Sequence, residues 1–186
     1  MPLLFIASVA LFVRSANLRA QPTTATIANP VETTPLTPLF ERGIRGVTLG
    51  PIESSLQVNR GYGSAPFQRS LQLIERMGGN WISLTPFGRI WDLQPSGVDQ
   101  RFEAPAQQTA TAIAQAVTQA HARGLKVLIV PHLWAETGEW RGEIDPKSEA
   151  DWQRWARGYR RFLLSWAKVA ATANADMLAL GVELRS

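Results

Sequence analysis

The chain has 186 residues, 45% apolar and 18% charged, which excludes bulk disorder and leaves room for one domain with a real core. Its net charge of +4 comes from 19 basic and 15 acidic residues; only Lys126, Lys147 and Lys168 are lysines, so the excess reflects arginine rather than a polybasic tract, and nucleic acid is not an expected partner. There is no cysteine, which excludes disulfides and thiolate metal sites.

Residues 3–13 read LLFIASVALFV. The run is short for a membrane span, which needs about 20 apolar residues. It fits the hydrophobic region of a secretory signal, although no basic residue precedes it and Leu18 departs from the small-x-small pattern before Ala20. Residues 1–20 are read as a signal peptide or N-terminal anchor. That reading implies a secreted or cell-envelope protein, with membrane contact only through the anchor. Residues 21–39 are rich in Thr and Pro; they cannot bury a core and are read as a linker. Residues 40–186 are the folded domain.

From residue 44 a β/α rhythm repeats. Residues 44–50 are a first strand. Ser64-Ala65-Pro66 opens a helix whose apolar positions are Phe67, Leu71, Ile74 and Met77, and Gly78-Gly79 stops it. Residues 81–87 are the second strand. The helix over 105–123 carries Ala110, Ile113, Ala114, Val117 and Ala120 on one face. Residues 126–132 are the third strand, and 133–147 a long loop. The third helix opens near Ser148, with Glu149 and Asp151 at its positive end. Its stripe runs through Trp155, Tyr159, Phe162 and Trp166, and Asn174 caps its exit. Arg154, Arg157, Arg160 and Arg161 read as the solvated side of that helix. A fourth strand starts near Met177 and runs to Glu183.

Strands that are apolar throughout and separated by helices make a parallel sheet with helices outside. An open doubly wound sheet and part of a β/α barrel both fit. A dinucleotide-binding sheet needs GxGxxG after its first strand. Here that turn reads Gly50-Pro51-Ile52-Glu53, and Gly61-Tyr62-Gly63 lacks the third glycine. The barrel is the better reading. In either architecture the chemistry sits at the C-terminal strand ends. Those ends collect Phe87 and Arg89, then His132, Trp134, Glu136, Trp140 and Arg141, then Glu183. Flat rings with a carboxylate, an imidazole and arginine forks suit a neutral polyhydroxylated ligand. There is no phosphate cradle, and with His121 on the second helix His132 has no partner for a metal.

Residues 128–132 (LIVPH), 138–144 (GEWRGEI), Trp152 and 180–184 (LGVEL) together resemble glycoside hydrolase family 113. These are TIM-barrel enzymes of the retaining clan that includes many cellulases and mannanases, and their known activity is mainly endo-β-1,4-mannanase. The resemblance covers residues 43–185. It implies a (β/α)8 TIM-barrel-type α/β fold, of which the first four strands and three helices are present. It implies that Glu183 is the general acid/base and that His132, Trp140 and Arg141 face the sugar. Tyr62, Arg89 and Trp134 are further substrate-binding candidates. The implied partner is a polysaccharide or oligosaccharide, with no cofactor and no metal. Val182 stands where many members of the clan have Asn, so a hydrogen bond to the sugar 2-hydroxyl has to come from elsewhere. The nucleophile would lie on a later strand, in the second half of the barrel. The chain then reads as an N-terminal half that holds the acid/base without its nucleophile. The alternatives are a non-catalytic carbohydrate-binding remnant and a truncated product without activity of its own.

Overall fold

A computed structural model describes residues 43–50, 59–102 and 104–184. The expected signal or anchor, the linker and the start of the domain at residue 40 lie outside the described residues. The elements in order are β1 (Gly46–Leu49), α1 (Ala65–Arg76), β2 (Trp81–Leu84), β3 (Phe87–Ile90), α2 (Ala106–His121), β4 (Lys126–Ile129) and β5 (His132–Ala135). A 3-10 turn (Arg141–Glu143), α3 (Glu149–Ala173) and β6 (Met177–Leu178) follow. Strands β1, β2, β4 and β6 pair in that order, all parallel, and β3 pairs parallel with β5. Among the described residues no helix is long and apolar enough to cross a membrane.

The helix ends follow their capping residues. Ser64 accepts a hydrogen bond from the Phe67 N–H at 3.3 Å, with Pro66 in the first turn. Ser148 accepts from the Asp151 N–H at 3.2 Å, and Glu149 and Asp151 sit at the positive end of α3. Asn174 takes the left-handed conformation (φ 58°) that ends α3. The α3 stripe buries Trp155, Phe162, Trp166 and Ala170. Two expected faces are corrected. Met77 is 64% exposed at the end of α1, and on α2 Ala116 is buried beside the expected Ala120, with Ala110 and Ala114 only half-buried.

The strands correct the expected boundaries further. Strands two and three were expected to end at Phe87 and His132, just past Pro86 and Pro131, which lack the N–H that a ladder uses. Both continue. The Val130 N–H donates to the Leu84 carbonyl at 2.8 Å, and the His132 N–H donates to the Pro86 carbonyl at 2.9 Å. The break costs one donor per strand and no change of register: β3 and β5 continue the same pairing, Phe87 opposite His132 and Arg89 opposite Trp134. Residues 133–135 are therefore strand rather than loop. The fourth strand, expected to run to Glu183, is only Met177–Leu178.

Alternation across both prolines sorts the side chains. Leu84, Pro86, Gly88 and Ile90, with Ile129, Pro131, Leu133 and Ala135, are buried on the helix side. Thr85, Phe87, Arg89, Val130, His132 and Trp134 point to the other, more open face. At Gly88 the helix layer comes so close that a β-carbon would lie 2.3 Å from Val98 and 2.8 Å from the Phe162 ring. Gly88→Ala is expected to cost about 1–3 kcal/mol through overpacking, read as a lower urea midpoint. Gly97→Ala, whose new carbon would be 3.7 Å from the nearest atom, is the control and leaves the midpoint in place. An unchanged midpoint for Gly88→Ala would show that Phe162 has room to yield.

Candidate active site

The open face of β3 and β5 carries an aromatic strip. The Phe87 ring lies 5.1 Å from His132, 5.3 Å from Phe102 in a stacked pair, and 6.2 Å from Trp134 edge-on. Phe102 and Trp134 meet at 6.0 Å. Trp134 is 45% exposed and Trp91, just past β3, is 62% exposed. Such faces, rigid and open on one side, can stack on sugar rings.

Arg89 sits inside this strip. Its guanidinium carbon is 5.2 Å from the Phe102 ring and 5.4 Å from Trp91. Its Nη2 donates to the Phe102 carbonyl at 3.1 Å, and it forms an ion pair with Glu136. The backbone beneath it is pinned: the N–H groups of Arg89 and Asp99 each donate to the other's carbonyl, at 2.8 and 2.9 Å. That bridge folds residues 91–99 back over the strand end and brings Trp91 and Phe102 to Arg89.

Glu183 lies beyond β6, in a bend at φ 56°. Three side chains from other elements hold this segment. Tyr159 of α3 donates its hydroxyl to the Leu180 carbonyl at 2.9 Å. Burial pushes that phenol up to about 12, so it stays a donor at any working pH. Arg141 Nη2 reaches Glu183 Oε2 at 2.7 Å, and Trp140 Nε1–H donates to the same oxygen at 3.3 Å. The Glu183 side chain remains 47% exposed. Both donors come from the loop after β5, tied at its two ends by the Glu136 N–H on the Ile90 carbonyl (3.0 Å) and the Asp145 N–H on the Leu93 carbonyl (2.8 Å).

His132 belongs to the strip and feels the charges of the second group. Its Nδ1 faces the Leu133 carbonyl at 3.1 Å; a carbonyl only accepts, so Nδ1 carries the hydrogen. Burial, and then the Arg141 charge, hold its pKa below the ordinary 6.5, partly offset by that carbonyl and by Glu183. The sequence-derived candidates thus fall in two groups: His132, Trp134 and Arg89 belong to the aromatic strip, and Trp140 and Arg141 converge on Glu183, with His132 the strip residue that feels the charges of Arg141 and Glu183. Tyr62 does not join it. It is 5% exposed, donates to the Leu49 carbonyl at 2.7 Å, and accepts from the Thr85 N–H at 2.9 Å, which ties β1 to β2. Trp134 is on a strand rather than in a loop, and so is Arg89. Trp91 and Phe102 were not among the candidates. Glu136, collected with the strand ends, pairs with Arg89, as the alternation 85-87-89 and 130-132-134-136 carried through the prolines would place it. Phe102 arrives through the Asp99 bridge and has no sequence signal. No group of three or more metal-binding side chains is present among the described residues.

The sequence model of Glycoside Hydrolase Family 113 matches residues 55–186. Among solved structures, a complex of a GH113 beta-1,4-mannanase superimposes with a TM-score of 0.65 at 21% identity, covering 76% of this chain and 46% of that one. A second GH113 beta-1,4-mannanase gives 0.61 at 23% identity, covering 74% of this chain and 45% of that one. The GH113 beta-mannanase AaManA from Alicyclobacillus acidocaldarius, in complex with ManMIm, gives 0.64 at 24% identity, covering 74% of this chain and 44% of that one. The chain thus spans less than half the length of these solved structures. The fold is of the TIM-barrel type, and the described strands and helices are part of such a barrel. Comparison with the curated proteins finds no match.

Since folded His132 resists protonation, its share of stability is complete above its ordinary 6.5 and is lost as the pH falls from there toward its lowered value. Arg141→Gln removes one of the two causes. The His132 midpoint, followed by ring NMR, is expected to rise in that variant; a midpoint that stays or falls would take Arg141 out of the account.

Proposed function

The chain belongs to glycoside hydrolase family 113, and we propose that in it Glu183 is the general acid/base of a retaining hydrolase acting on β-1,4-mannan. The supporting observation is the setting of the carboxylate. Arg141 and Trp140 both grip Oε2, while nearly half the side chain stays open beside an aromatic strip. Oε1 is then the oxygen that exchanges a proton with the substrate. In the first step Glu183 gives its proton to the glycosidic oxygen as the C–O bond breaks, and a carboxylate nucleophile takes the anomeric carbon. In the second, Glu183 takes a proton from water, which attacks that carbon and releases the nucleophile.

A retaining pair needs its second carboxylate about 5–5.5 Å away. We place it outside these residues: Glu136 is tied to Arg89, Glu139 and Glu143 are exposed on the loop, and the chain spans under half of its solved relatives. Mannan as substrate is supported by those relatives, each called a β-mannanase. Export through residues 1–20 belongs to the same proposal, because a polymer too large to take up is met outside the cell. A second reading, glycan binding without hydrolysis, is favoured by the exposed faces of Trp91, Trp134 and Trp140.

The test uses the protein encoded by the full reading frame. Glu183→Gln is expected to lower kcat on mannan by about 10²–10⁴-fold, while calorimetry with mannohexaose shows binding kept. Full hydrolysis by the variant would sink the acid/base role. A wild-type protein that binds mannohexaose and never cleaves it would decide for the second reading.

A further inference from the structure

We infer that Gly142 is a positioning residue for Glu183: the absence of a side chain there seats the Trp140 indole against the carboxylate. The inference rests on the acid/base role proposed for Glu183, and extends it to a residue that touches neither the carboxylate nor a sugar. Gly142 is buried. A β-carbon built on it would lie 2.6 Å from Cζ2 and 2.7 Å from both Cε2 and Cη2 of Trp140. Real β-carbons do not approach so closely, so the indole rests directly on the glycine's α-carbon. Backbone conformation is not the reason for the glycine, since Gly142 is not in the left-handed region. The requirement is contact.

The backbone of the turn has little freedom to retreat. The Glu143 N–H donates to the Trp140 carbonyl at 2.9 Å and the Ile144 N–H to the Arg141 carbonyl at 3.3 Å. Ile144 is 7% exposed and belongs to the core. The indole, by contrast, is 46% exposed on its outer side and can swing away. A side chain at 142 therefore moves the ring rather than the fold. Cε2 is the ring atom bonded to Nε1, so the nitrogen moves with it. Its hydrogen bond to Glu183, already 3.3 Å long, has no slack. With that bond lost, Arg141 alone holds Oε2, and the carboxyl group can rotate away from the orientation in which Oε1 meets the glycosidic oxygen.

The test has a structural arm and a kinetic arm. In the wild-type protein the Trp140 indole N–H resonance, assigned through Trp140→Phe, is expected to shift as Glu183 ionises and to stop shifting in Glu183→Gln. Gly142→Ala is expected to abolish most of that shift at unchanged Tm. On mannan, Gly142→Ala is expected to lower kcat about 10- to 100-fold, the loss of one hydrogen bond to a charged group. In a Trp140→Phe background the same substitution meets no indole and costs nothing further. An indole resonance that follows Glu183 equally well in Gly142→Ala overturns the inference, and so does an additive double variant. The arms fail separately. Hydrolysis that survives Glu183→Gln removes the acid/base role while the indole titration still reports on Gly142; an indole blind to Glu183 in the wild type removes the positioning role whatever the activity.

Discussion

The site depends on two strands keeping their register across a proline each. A one-residue slip at Pro86 or Pro131 would turn every later side chain to the opposite face. Arg89, His132 and Trp134 would then be driven into the helix layer, where Gly88, Leu133 and Ala135 now fit against residues such as Phe162. Gly88 shows how little tolerance that layer has. The carbonyl of Pro86 supplies what its missing N–H does not, by accepting from His132. One rung of the ladder thus fixes the strip residue that feels the charges of Arg141 and Glu183.

Glu183 illustrates a different kind of control. No ladder holds it, for β6 ends at Leu178 and the last rung is the Ala179 N–H on the Ile129 carbonyl, at 2.8 Å. Side chains from two other elements place it instead. Tyr159 comes from a long helix with a well-buried stripe, and Trp140 and Arg141 from a loop tied down at both ends. The precision of the carboxylate is therefore borrowed from packing elsewhere in the domain. That is why a glycine on the loop can matter to an oxygen it never touches.

These two kinds of control differ in how far a sequence reveals them. Helix limits were legible because Ser64, Ser148 and Asn174 have local mechanisms that need no tertiary partner. The parallel order was legible from apolar strands separated by helical stripes. The strand ends were not, because the bonds that carry the pairing past Phe87 and His132 come from the neighbouring strand. Tyr62 lies apart from the other candidates for a related reason. A tyrosine in a glycine-rich loop reads as exposed, but its hydroxyl satisfies the Leu49 carbonyl and the Thr85 N–H across two strands. Glu183, Trp140 and Arg141 could be listed from the sequence, yet the convergence of Trp140 and Arg141 on one oxygen, Oε2 of Glu183, could not.

The charge pattern of the site bears on what it accepts. A chain of net charge +4 with so many arginines invites an anionic ligand. At the site, however, the arginines are already partnered: Arg89 with Glu136, and Arg141 with Glu183. Glu136 offsets the charge of Arg89, and Glu183 engages the Arg141 guanidinium, so the site offers ring faces with both of these guanidinium groups already held. The neutral polysaccharide proposed as ligand would meet little electrostatic penalty there and would gain stacking on Trp134 and its neighbours. An anionic polymer would have to compete with Glu136 and Glu183 for the guanidinium groups. The proposal of a neutral sugar chain thus draws its support from how the site pairs its own charges, and not from the net charge of the protein.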